Sequence, residues 1–290
     1  MSQLKMNPLT SWQVAKHLGL LAASFYTMTL AGALAATGET SMVLLVDPGY
    51  LSLGLSYSLC LIAILGAHEM GHYIACLLYR VDASPPYFLP APPPFLMGTF
   101  GAFIRIRAPI PDRRALFDIG VAGPLAGFIV AIPVLAYGLW APTLVTTGRG
   151  EGGEVGLPLL ITWMLPVFSS APEDNMLLCG PLMAGWVGCL ATAVNLFPVG
   201  QLDGGHICYA ISPRVHRLAS RILVGGFVVL GLLVFPGWLF FALLLVVFGP
   251  RHPPVSDSSP PLSRGRVAIA VLAMIVLVLC FIPRPFDLDF

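Results

Sequence analysis

The sequence predicts an all-α polytopic membrane protein of about six transmembrane helices, with a short re-entrant β element between spans two and three. Three observations carry this expectation. Of the 290 residues, 57% are hydrophobic and only 10% charged, against about 25% charged in a globular domain, too few to cover a surface in water. The apolar residues gather into segments of about 20, the length at which a helix crosses a ~30 Å hydrocarbon core. Between the second and third segments lies a proline cluster followed by a partly alternating stretch, a pattern that no helix accommodates. Residues 1–290 are expected to form a single integral membrane domain.

A polar stretch, residues 1–16, precedes the first span at 17–36. It shows no Ala-x-Ala cleavage pattern ahead of a soluble domain, so the span is expected to stay uncleaved. The second span covers 51–79. The segment 84–109 follows, with Pro85, Pro86, Pro90, Pro92, Pro93 and Pro94. From Gly98 to Arg107 the chain alternates in part, Ile104 and Ile106 opposite Arg105 and Arg107. A strand or hairpin dipping into the membrane fits this pattern, tolerated where protein or a water-filled cavity satisfies its backbone; a proline-rich loop on the surface is the alternative.

The third span, 116–140, carries Gly120, Gly123, Pro124 and Gly127, whose Gly-x-x-x-Gly spacing marks a close helix-packing face. Asp118, near Arg113 and Arg114, is expected as an interfacial, ion-paired carboxylate rather than a ligand. The fourth span covers 176–197. Residues 222–248 would make a helix of about 40 Å, but Phe235-Pro236-Gly237-Trp238 interrupts them. They form either one kinked helix or a hairpin turning at Pro236-Gly237, and 267–282 is the last span.

Lys and Arg accumulate in short cytoplasmic loops. Lys5 and Lys16, then Arg80, Arg105, Arg107, Arg113 and Arg114, then Arg214, Arg217 and Arg221 mark one side. Glu39 and Asp47, then Glu151, Glu154, Glu173 and Asp174 against the lone Arg149, mark the other. Arg251, Arg264 and Arg266 favour the hairpin and put Asp287 and Asp289 outside. The expectation is a multi-pass protein of a cell membrane of the bacterial inner-membrane kind, its N-terminus and site opening cytoplasmic. With a net charge of +1 and no basic block, nucleic acid is not an expected partner. Cys60, Cys76, Cys179, Cys189, Cys208 and Cys280 lie in or beside apolar segments without CxxC spacing, which argues against a disulfide framework.

Within the second span stands His68-Glu69-Met70-Gly71-His72, an HExxH motif. On a helix the two histidines share a face and can reach one Zn²⁺, and the glutamate between them is placed to act as general base. Ionisable groups at membrane depth cost roughly 2.5 kcal/mol or more each, so they mark a functional site. His72 lies eight residues before Arg80, about 12 Å along a helix from the cytoplasmic boundary. Gly66 and Gly71 beside the motif permit close helix packing. Cys76, one turn after His72, is the weaker candidate for a fourth ligand, because a hydrolytic zinc keeps a position open for water and buried thiols are ordinarily packing groups.

Two histidines leave the metal incomplete, and donors in apolar surroundings are scarce. Asp203, between Leu202 and the flexible pair Gly204-Gly205 and expected on the same side as the HExxH, is the third ligand. A membrane zinc enzyme with a downstream glutamate ligand fits poorly, because beyond span three only Glu151, Glu154 and Glu173 remain, all in a loop on the opposite side.

The pair of motifs, HExxH in one span and Asn195-Leu196-Phe197-Pro198 leading to Asp203-Gly204 in a later one, resembles the site-2 protease family of intramembrane zinc metalloproteases. The resemblance extends to Gly98–Ile106, similar to that family's re-entrant β element, and to the glycine-rich third span. It implies one zinc per chain held by His68, His72 and Asp203, with Glu69 as general base and acid and Asn195 at the scissile carbonyl or its oxyanion. His206 would be a neighbour of the site. Peptide bonds within or near transmembrane segments would be the substrate, in single-span proteins such as regulators already trimmed outside or in remnant signal peptides. An edge strand near the metal could bind such a substrate by strand addition. The compact form, without a PDZ or nucleotide-binding module, is expected. The alternative is a non-proteolytic binding protein or transporter that retains a structural zinc.

Overall fold

The computed structural model describes residues 10–38, 46–92, 97–141, 155–169, 180–249, 252, 255 and 261–286. Lys5, Glu39, Pro93, Pro94, Arg149, Glu151, Glu154, Glu173, Asp174, Cys179, Arg251, Asp287 and Asp289 lie outside the described residues.

The first helix, α1 (Ser11–Thr37), begins at a reciprocal cap: the Thr10 hydroxyl accepts from the Gln13 amide and the Gln13 side chain accepts from the Thr10 amide. It ends on Gly38 in the left-handed region. The second, α2 (Pro48–Leu78), is set by Pro48 at its first turn and by the Asp47 carboxylate, which accepts from the Tyr50 amide at 2.8 Å. The two helices cross closely at Gly54, where a methyl group would lie 1.8 Å from the Thr29 carbonyl oxygen. The third, α3 (Arg113–Trp140), is capped by Asp112 and runs through Pro124 and Pro133. With α7 below, these are the four helices among the described residues that are long and apolar enough to cross a membrane.

Between α2 and α3 the chain makes an antiparallel hairpin of β1 (Tyr87–Pro90) and β2 (Thr99–Phe103), with Phe88 opposite Ala102 and a register shift before Pro90. The expected strand is therefore present, and its partner comes from inside the proline-dense stretch. Pro90 has no N–H and is tolerated because a two-stranded sheet consists only of edges. The hairpin is fastened to its neighbours by three contacts. Thr27 donates to the Gly98 carbonyl at 2.6 Å, Tyr57 donates to that of Met97 at 2.9 Å, and His17 Nδ1 lies 3.0 Å from that of Pro86.

The second half adds two helices that the sequence did not predict. Residues after α3 were expected as a loop, yet they include α4 (Leu159–Phe168), which buries Ile161, Met164 and Leu165. Within the fourth apolar segment lies α5 (Gly180–Leu196), which stops where the span was expected to end; a turn at 197–202 follows, and Asp203 opens a further helix, α6 (Asp203–Ile211). The segment expected at 222–248 resolves as a hairpin of α7 (Pro213–Leu233) and α8 (Gly237–Phe248). Phe227 on one arm stacks on Trp238 of the other with ring centroids 5.3 Å apart, and Gly231 admits Leu239. The last helix, α9 (Arg264–Cys280), packs against α5.

Asp118 is ion-paired as expected, but its partner differs. Arg266 of α9, not Arg113 or Arg114, reaches it at 2.6 Å, and the Tyr79 hydroxyl donates to the same carboxylate. Arg113 and Arg114 open α3, whereas Asp118 faces the start of α9.

Candidate metal centre and cavity

His68 and His72 sit one turn apart on α2 and are both buried, 5% and 7% exposed. Their neighbours on α3 make this possible. A methyl group at Gly123 would lie 2.1 Å from His72 Nε2, one at Gly127 3.1 Å from His68 Cβ, and one at Gly120 2.9 Å from His206 Cβ. The glycine face of α3 is thus a cradle for imidazole rings as well as a helix-packing surface. Gly71 meets the Ala122 carbonyl in the same interface, whereas Gly66 differs from expectation: its nearest neighbour is the Phe88 ring, at an ordinary 3.8 Å from an added methyl.

Asp203, in the first turn of α6 where a negative charge suits the helix dipole, closes the triangle. Its Oδ2 lies 3.2 Å from His68 Nε2 and 3.3 Å from His72 Nε2, and the two nitrogens are 3.1 Å apart. His72 Nδ1 is 2.7 Å from the Ile119 carbonyl, which can only accept, so Nδ1 carries the proton and Nε2 presents a lone pair. A nitrogen lone pair and a carboxylate oxygen therefore converge on one point, with the second imidazole nitrogen beside them. Such an array is suited to hold a cation. Tetrahedral zinc with bonds of 2.0–2.1 Å would separate its ligand atoms by about 3.4 Å, close to these spacings, and among the described residues this is the group of three suited to a metal.

The turn that delivers Asp203 is held from behind by α7. His216, fully buried, lies with Nε2 3.0 Å from the Gly200 carbonyl, and the Ser220 hydroxyl accepts from the Gly200 amide at 3.3 Å. Nothing in the sequence pattern singled out His216 or Ser220; their spacing of four on an apolar helix was the available signal. His206 is a neighbour, as expected, and its Nδ1 pairs with His252 Nε2 at 2.7 Å. Burial holds its pKa down, to about 4, so the ring is neutral.

Glu69 is 7% exposed, with Oε1 4.0 Å from His68 Nε2. It opens into a cavity of about 590 Å³ that Asn195 of α5 also lines. Thr99 to Ala102 of β2 also line it. The structure thus brings His68, His72 and Asp203 together, and His68, Glu69 and Asn195 line one cavity. Cys76 lies elsewhere, packed with Val81, Ala83 and Ile119.

Comparison with known proteins agrees with this arrangement. Residues 56–234 match the model of Peptidase family M50. The probable zinc metalloprotease EGY2, chloroplastic, of Oryza sativa subsp. indica is 30% identical over 78% of this chain and 42% of its own length. The probable zinc metalloprotease EGY1, chloroplastic, of Arabidopsis thaliana is 30% identical over 77% of this chain and 41% of its own. The chain thus spans about two fifths of the length of these relatives.

Proposed function

The chain belongs to peptidase family M50, and from that membership we propose that it is an intramembrane zinc metalloendopeptidase cutting peptide bonds within or near transmembrane segments. The observation that carries this reading is the convergence of His68, His72 and Asp203 within 3.3 Å, with Glu69 beside them on a cavity bounded by a strand. These three residues would hold one zinc. When bound, zinc supplies Lewis acidity that polarises a peptide carbonyl and acidifies water. Glu69 accepts the proton of the attacking water and returns it to the leaving amine. The Asn195 amide donates to the oxygen on which negative charge develops.

A peptide bond in a membrane helix is closed within its own hydrogen-bond ladder. Attack requires local unwinding, and the freed backbone groups need partners in an apolar setting. The edge of β2 not paired with β1 supplies them by strand addition. The arginines after α2 and past the hairpin, Arg80, Arg105 and Arg107, support a cytoplasmic orientation of this end of the molecule. Single-span membrane proteins are the substrates that this arrangement suits.

The experiment is a cleavage assay of the purified full chain in detergent on a single-span substrate, before and after removal of metal by a chelator. Cleavage that is lost on chelation and restored by zinc is the expected outcome. Cleavage that persists in metal-free protein refutes the proposal.

A further inference from the structure

Phe286 lines the same cavity, and the chemistry above leaves it unused. Its segment follows α9 and folds back over the bundle on specific anchors. The Gly156 amide donates to the Pro285 carbonyl at 3.2 Å, and Val155 and Phe286 form an antiparallel bridge. Trp238 Nε1 donates to the Pro283 carbonyl at 2.7 Å, and Trp186 Nε1 donates to that of Gly156 at 2.8 Å. The seat is built closely: a methyl group at Gly156 would lie 2.1 Å from the Arg284 carbonyl oxygen. Indole donors, a strand bridge and a glycine made to fit hold this short extended segment in one place.

Its position along the cavity follows from α5. The Phe286 ring lies 5.4 Å from that of Trp186, and the next residue, Val187, lines the cavity. Asn195 lines it too, eight residues further along the helix, about 12 Å away. Phe286 therefore lies toward the end of the cavity remote from Asn195. An extended chain advances about 3.3 Å per residue, so three or four residues separate a bond held at Asn195 from a side chain at Phe286.

We propose that Phe286 is a specificity-determining residue: its ring limits the size of the substrate side chain three or four positions from the cut bond. The inference rests on the proteolytic reading above. A half-buried apolar ring makes no polar demand there and discriminates by volume.

The test uses the full chain, purified in detergent, and single-span substrates carrying Ala, Leu, Phe or Trp at each of five positions on either side of the cut. The readout is the ratio of kcat/KM for Trp over Ala at each position. Phe286→Ala is expected to raise that ratio about tenfold or more three or four positions away on one side, with little change next to the cut, and Phe286→Trp to lower it. Ratios equal to wild type, or shifted alike at every position, overturn the proposal. Phe286→Leu, which keeps a large apolar side chain, replaces Phe286→Ala in the same comparison if the alanine variant does not fold. A wild-type protein that cleaves none of the substrates overturns the proteolytic reading itself, a result distinct from an unchanged profile.

Discussion

His72 is positioned by the absence of a side chain opposite it. Its Nδ1–H is spent on the Ile119 carbonyl, and its Nε2 stands where a methyl at Gly123 would intrude to 2.1 Å. Gly123→Ala must therefore turn the ring or push α2 from α3, and either moves a metal ligand. Disturbing the group that orients a ligand typically costs 10- to 100-fold in metal affinity, and a loss of about that size is expected, measured by competition with a chromophoric chelator. Gly19→Ala is the matched control, because an added methyl there meets nothing within 4 Å; in a helix interior it gains up to about 1 kcal/mol. Equal zinc affinity in both variants would show that Gly123 is only a packing residue. Gly120, Gly123 and Gly127 of α3 read from the sequence as a helix-packing face, and which side chains they admit became visible only when α2 and α6 were laid against them.

The strand β2 is the element on which substrate presentation depends. Ala102→Pro removes an N–H from it while leaving α2, α3 and α6 untouched. Loss of one backbone hydrogen bond to substrate is worth about 1 kcal/mol, so cleavage of a membrane-embedded substrate is expected to fall several-fold or more with zinc content normal. Unchanged turnover removes the strand-addition step. The catalytic elements were legible because their chemistry is local: two histidines at helical spacing with a glutamate between them, and a carboxylate beside two glycines. A strand was expected within Gly98–Ile106, but β2 ends at Phe103, before the alternating residues Ile104 to Arg107, and its partner β1 was hidden among prolines that ordinarily argue against a strand. The helix α4 was missed because ten apolar residues fall short of a span, and the loop's acidic residues drew attention instead. The break between α5 and α6 follows from Pro198 and Gly200, the latter in the left-handed region. A motif read as one continuous string concealed it.

At the scale of the whole molecule, the last helix is tied to the second and third. Arg266 bonds through both Nε and Nη2 to Asp118, at 2.9 and 2.6 Å, and Nη2 also donates to the Tyr79 hydroxyl at 3.3 Å, joining α9 to α3 and to the end of α2. Residues 148 positions apart cannot be paired from a single sequence, which is why Arg113 and Arg114 stood in their place. The pair is about a quarter exposed, so Arg266→Ala is expected to lower stability by about 1 kcal/mol or less, seen as a small drop in Tm with zinc content unchanged. A lost metal in that variant would mean that α9 helps to shape the site. Orientation has its own check: a cysteine at the exposed Arg105 should react with a membrane-impermeant maleimide from the cytoplasmic face, and reaction from the opposite face reverses the topology. The central claim is that three residues hold zinc while a fourth moves the proton. Its most direct test is zinc stoichiometry measured alongside proteolysis in wild type, Glu69→Gln and Asp203→Ala. About one zinc per chain is predicted in wild type and Glu69→Gln, with proteolysis down at least about 100-fold in Glu69→Gln and zinc largely lost in Asp203→Ala; proteolysis that survives Glu69→Gln would contradict the account.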